Sequence, residues 1–121
     1  MLGFAFSEKI YLYNLPTDMR KSFNGLSGIV INQLRKDPVR DGMFIFINKR
    51  RDRLKALVWD RHGFWLLYKR LEAGRFQLPL CPDTQESAVS LAYDQLMMIL
   101  EGIDLRWARH RKRFTLPHIQ C

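Results

Sequence analysis

Met19, Phe23, Leu26, Val30 and Leu34 recur every three or four residues, which places them on one face of a core-facing helix. Pro16 and Pro38 bound this stretch, and Thr17 or Asp18 offers a side-chain oxygen to cap its start. Gly25 and Gly28 lie inside the stripe, at a propensity cost of about 1 kcal/mol each. Close approach to a neighbouring element is their expected compensation.

The rest of the pattern is strand-like. Residues 9–14 (KIYLYN) are aromatic and β-branched and predict a first strand. Residues 43–48 (MFIFIN) are almost wholly apolar, as in a strand covered on both faces. Residues 53–60 and 64–71 predict two more strands, and residues 75–80 a fifth, stopped by Pro79 and Pro82. Beyond a polar loop at 81–86, residues 88–91 read as a short returning strand and 93–101 as a helix. A single helix from Thr84 onward competes, since apolar periodicity does not separate the two. Gly102 is placed to end the last helix. The sum is an α+β domain: a mostly antiparallel β-meander of about five strands packed against an amphipathic helix, with a short C-terminal helix. Residues 1–105 form this single domain, and 106–121 a basic C-terminal tail that is either an extra helical turn or a mobile arm.

The hairpin at 53–71 admits a geometric reading. With Asp60-Arg61-His62-Gly63 as a type I turn and glycine in the left-handed position, the loop has three residues and Asp60 pairs with Phe64. Trp59 then faces Trp65, and Lys55 faces Lys69, on one side; Leu54, Ala56, Val58, Leu66 and Tyr68 form a core side. A two-residue loop instead swaps the partners and moves the aromatics apart.

Composition adds one strong constraint. Net charge is +8 and the pI near 9.9, so the expected partner is anionic, a nucleic acid or a nucleoprotein complex among the candidates. Lys49, Arg50, Arg51 and Arg53 make a dense basic turn; Arg109, Arg111, Lys112 and Arg113 make another cluster in the tail. Together with Lys55 and Lys69 these are the candidate nucleic-acid contacts, with Trp59 and Trp65 as an interaction patch. Solvated lysines and tryptophans packed beneath a helix are the competing account.

Cys81 and Cys121 form no C-x-x-C pair, and His118 with Cys121 falls two ligands short of a closed zinc site, so no metal or cofactor is expected. Reduced thiols, the lack of a ~20-residue apolar span and the lack of a signal-peptide pattern point to the cytoplasm, away from membranes. No Walker loop, G-x-S-x-G or H-E-x-x-H motif is present, so no catalytic residue is expected. A metal-dependent nuclease built on Asp41, Asp52, Asp60 and Glu72 is the outside alternative.

Two stretches carry a resemblance: PTDMRKSFNGL at 16–26 and DRLKALVWDRHGFWLLYKRLEAGRF at 52–76, supported by LEGID at 100–104. They resemble the small accessory protein called TnpB, encoded by the second open reading frame of the sixty-six family of bacterial insertion sequences. The RNA-guided nuclease that shares that label is a different protein, too large for this chain. The matching positions are Asp18, Met19, Arg20 and Lys21; Asp52, Arg53, Leu54 and Lys55; Trp59, Gly63, Trp65, Lys69, Arg70 and 74–76. Arg61 and His62 stand where family members often carry an acidic or small residue, Ala92 where a capping Ser or Thr is common, and the long basic tail is less typical. The resemblance implies a non-enzymatic role in DNA transposition beside a separate, larger transposase. The chain would act by contacting DNA, or as an adaptor that bridges the transposase to other element-encoded proteins. Oligomeric state is not legible.

Overall fold

The computed structural model describes residues 9–78 and 87–101. They form β1 (Ile10–Tyr13), α1 (Phe23–Asn32), β2 (Met43–Ile47), β3 (Arg53–Asp60), β4 (Gly63–Arg70), β5 (Ala88–Leu91) and α2 (Tyr93–Glu101). The five strands make one sheet in the order β4-β3-β2-β1-β5. Only β1 and β2 run parallel, joined through α1; the other three pairings are antiparallel. The α+β class therefore holds, but the meander is confined to β2–β3–β4.

Strand alternation divides the core between two faces. Phe44, Phe46 and Leu57 point to one face and are covered by Leu26, Val30 and Leu34. Ile10, Leu12, Ile45, Ile47, Leu54 and Ala56 point to the other, where Leu96, Ile99 and Phe76 meet them. β2 is apolar at every position because it is buried on both sides, as its sequence predicts.

Several local expectations are corrected. α1 begins later than the stripe, at Ser22, whose side chain makes no capping bond; Asp18 spends its carboxylate on the backbone N–H and guanidinium of Arg20 instead. Phe23 stays exposed although it lies on the stripe. Gly28 has no close neighbour: a Cβ there would meet nothing nearer than Asn32 Nδ2 at 4.0 Å. Residues 75–78 form no strand. Phe76 drops into the core while its N–H donates to Arg51 O at 2.6 Å, and the fifth strand is Ala88–Leu91. α2 follows it directly. Gln95 Oε1 accepts from Ala92 N–H at 2.7 Å, one half of a capping box that serves where Ala92 has no hydroxyl. The basic tail, both cysteines and His118 lie outside the described residues.

Candidate nucleic-acid interface

The hairpin turns in two residues, not three. Asp60 pairs with Gly63, Trp59 with Phe64, Val58 with Trp65, Leu57 with Leu66 and Lys55 with Tyr68. Arg61 takes the left-handed backbone at φ 56°, so Gly63 is released to open β4. This one-residue slip sends Trp59 and Trp65 to opposite faces. The common face expected for Trp59, Trp65, Lys55 and Lys69 does not exist. Trp59 meets Phe64 edge-on, with centroids 5.0 Å apart, on the α1 face; Trp65 lies on the α2 face and donates from Nε1 to Asp60 Oδ2.

The two hairpin lysines are engaged inside the molecule. Lys55 is only 7% exposed. Its ammonium donates to Met19 O and Lys21 O, each at 2.7 Å, and sits 4.8 Å from the Tyr68 ring centre. Lys69 Nζ donates to Leu100 O, next to the last described residue of α2. Neither forms the basic face expected of it.

Lys49 and Arg50 are exposed at the β2–β3 turn, and Arg53 just beyond it. The turn is rigid: Asn48 Oδ1 accepts from the N–H groups of Asp52 and Arg53, and Asn48 Nδ2 donates to Asp52 Oδ1 at 2.7 Å. That last bond, with Arg50 and Arg53 nearby, holds the Asp52 carboxyl below its ordinary range. Arg51 sits at φ 60°.

A second basic region forms at the other end of β3, and there the chain is concave. The start of β1, the loop from α1 to β2, and the β3–β4 tip enclose a cleft of about 690 Å³. Lys9, Arg35, Lys36, Arg40 and Arg61 line it, with Tyr11 and Trp59 among them and Asp41 and Asp60 as the acids. Lys36 Nζ lies 4.3 Å from the Tyr11 ring centre. The loop is held by its own carboxylates: Asp37 Oδ1 accepts from Val39 N–H, and Asp41 Oδ2 from Asp37 N–H at 2.6 Å. Gly42 forms the floor at φ 138°; a Cβ there would lie 2.1 Å from Lys9 O.

The residues with left-handed backbone other than glycine, among those described, are Arg35, Arg51 and Arg61. Glycine occupies such positions without strain, whereas a larger residue costs about 1–3 kcal/mol. Two of these arginines line the same cleft. Sequence reasoning missed this site. The run RKDPVRDG at 35–42 is a visible basic cluster, but its meeting with Lys9 and Arg61 depends on β1 lying beside β2.

Of the four candidate carboxylates, Asp41 and Asp60 share the cleft, but Asp52 and Glu72 do not join them. Asp52 and Asp60 flank the ends of β3, about 26 Å apart at strand rise. Glu72 pairs with Arg70 at 2.8 Å. Among the described residues no three His, Cys, Asp or Glu gather as a metal would need.

A family model described as "IS66 Orf2 like protein" matches residues 8–112. The chain belongs to the IS66 Orf2-like family. Such a protein is an accessory of insertion-sequence transposition. Two proteins of Sinorhizobium fredii (strain NBRC 101917 / NGR234) are similar to it, both described as uncharacterized. One, y4jC, is 31% identical over 113 residues, covering 93% of this chain and 92% of its own. The other, y4hO, is 31% identical over 115 residues, covering 95% and 97%. No solved structure matches.

The IS66 Orf2-like positions that carried the resemblance are largely architectural here. Lys55 bolts the second motif stretch to the first through the carbonyls of Met19 and Lys21. Asp18 pairs with Arg20, Lys69 ties β4 to α2 through Leu100 O, and Phe76 fills the core. No helix among the described residues is long and apolar enough to cross a membrane.

Proposed function

We propose that this transposition accessory is a non-enzymatic, cytoplasmic DNA-binding protein whose main contact is the cleft lined by Lys9, Arg35, Lys36, Arg40 and Arg61. The observation that carries this reading is the convergence of five cations on one concavity, two of them arginines kept where glycine would be unstrained. Phosphates supply the anionic partner that such a cluster, in a chain of net charge +8, requires. The exposed Lys49, Arg50 and Arg53 at the far end of β3 extend the contact along a strand. Arg109, Arg111, Lys112 and Arg113 add sequence-independent affinity.

Anisotropy with labelled insertion-sequence ends, as duplex and as single strand, tests this across salt concentrations. If the five cleft cations each meet a phosphate, they contribute about −4.5 to the log–log slope of duplex affinity, on top of what the other two clusters supply. The double variant R35G/R61G suits both backbone positions and should flatten that slope by about two. Absence of binding to either DNA at low salt would refute the reading.

A second reading, an adaptor for the element's transposase, draws on a separate observation. Trp65 and Tyr68 are 43% and 53% exposed on β4, an edge strand of the described sheet. They lie on opposite faces of that strand, so a protein that pairs with its bare edge would meet one aromatic on each side. Capture of the transposase that survives nuclease digestion, and is lost in W65A/Y68A, would support the adaptor over direct DNA contact.

A further inference from the structure

The cleft contains more than charge, and we propose that it seats one unpaired nucleotide of a DNA strand: the base against the Trp59 indole, the flanking phosphates on Arg35, Arg40 and Arg61. This rests on the DNA-binding reading and specifies what the site takes. Three features point the same way. The volume, about 690 Å³, lies in the range of small-molecule pockets and is more than a single phosphate needs. Trp59 is half-buried and lines the cleft; its packing to Phe64 is edge-on, which fixes the indole without a ring stacked on it from that neighbour. Tyr11, the other aromatic, already carries Lys36 over its ring, so it supports a cation instead of a base.

A duplex does not use such a site well. Its bases are stacked inward, and it presents phosphates alone to a concavity unless a nucleotide is extruded. An unpaired strand offers a π-face and a phosphate together, the pairing that aromatic platforms flanked by cations exploit. Nor is the cleft shaped by ligand closure. The 35–42 loop is held by Asp37 and Asp41, and Gly42 lets it lie against the Lys9 carbonyl, where a Cβ would be 2.1 Å away. The seat is built before the strand arrives, so binding loses little to ordering.

The test compares three probes on the full chain: a labelled ten-nucleotide single strand, the same sequence as duplex, and a mixture of deoxynucleoside monophosphates as competitor. The single strand is expected to bind at least about tenfold more tightly than the duplex. W59L should weaken the strand about tenfold and the duplex less than about twofold, in keeping with one lost stack. W59F, which keeps a smaller ring, should fall between, and R61G should weaken both DNAs. Far-UV circular dichroism of each variant reports that the fold is intact; R61G and W59F keep the comparison valid if W59L unfolds. Equal binding of strand and duplex, or equal losses on both in W59L and W59F, overturns the unpaired-nucleotide seat and leaves the DNA-binding reading standing. Monophosphates that bind as tightly as the strand overturn the strand assignment in favour of a free nucleotide. Failure of all three probes at low salt overturns both readings.

Discussion

Replacing Lys55 by Met should destabilise the protein by about 3 kcal/mol while leaving DNA affinity per folded molecule unchanged. The figure comes from the contacts of one ammonium. It makes two charge-assisted bonds at 2.7 Å to Met19 O and Lys21 O, and such bonds contribute about 1.5–3 kcal/mol each, less when they share a donor. The Tyr68 ring at 4.8 Å adds about 0.5–2 kcal/mol. Methionine preserves most of the packing of the aliphatic stem, so the loss isolates the polar end. It also avoids burying a charge, which sets the total below the simple sum. With a urea m-value near 2 kcal/mol/M, the midpoint should fall by about 1.5 M. The same variant, compared with wild type in DNA anisotropy, distinguishes a strut from a contact. A midpoint shift under about 0.5 M with a clear loss of DNA affinity would refute the reasoning and restore Lys55 to the binding surface.

Other consequences are as direct. Gly42→Ala forces a Cβ to within 2.1 Å of Lys9 O at a φ of 138°, so a loss of at least about 3 kcal/mol, read by thermal or urea unfolding, is expected. Gly28→Ala meets only open space and should stabilise α1 by about 0.5–1 kcal/mol in the same assays. The Asp18 carboxyl is pulled down to about 2, chiefly by its hydrogen bonds from Arg20, against an ordinary value of 3.8. Because the folded value is the lower one, its contribution is whole above pH 3.8 and fades as pH falls towards 2; carboxyl NMR titration should find this midpoint, and R20A should return it towards 3.8.

Much of the fold was legible because it is written in local pattern. The apolar run of β2, the exact limits of β3 and the α2 helix all follow from periodicity over a few residues. The competing single helix from Thr84 fails because Val89 and Leu91 are needed as strand residues against β1. The hairpin register was not legible. It turned on whether Gly63 or Arg61 would take the left-handed position, and local preference favours the glycine, whereas the structure uses the arginine. That one choice reassigned Trp59, Trp65, Lys55 and Lys69. Charge density drew attention to the Lys49–Arg53 turn, where Lys49, Arg50 and Arg53 are exposed, but overlooked the cleft, whose residues come from three separated segments. Lys55 shows the converse limit: a lysine in a strand reads as surface, and only the arrival of the Met19 and Lys21 carbonyls makes its burial tolerable.

The strand order also carries a consequence for synthesis. β1 emerges from the ribosome first, yet it needs β2 on one edge and β5 on the other, with Ile10 opposite both Met43 and Leu91. A nascent chain that has reached Arg70 already holds four of the five strands and α1. Its β1 would still present a bare edge, and Ile10 and Leu12 would await α2. An unfinished chain is thus a nearly complete sheet that exposes β1 as a second edge besides β4, prone to pair with a sibling strand. Finishing the last two elements covers the border of β1, so termination between residues 70 and 88 should yield aggregates in place of a partly active fragment.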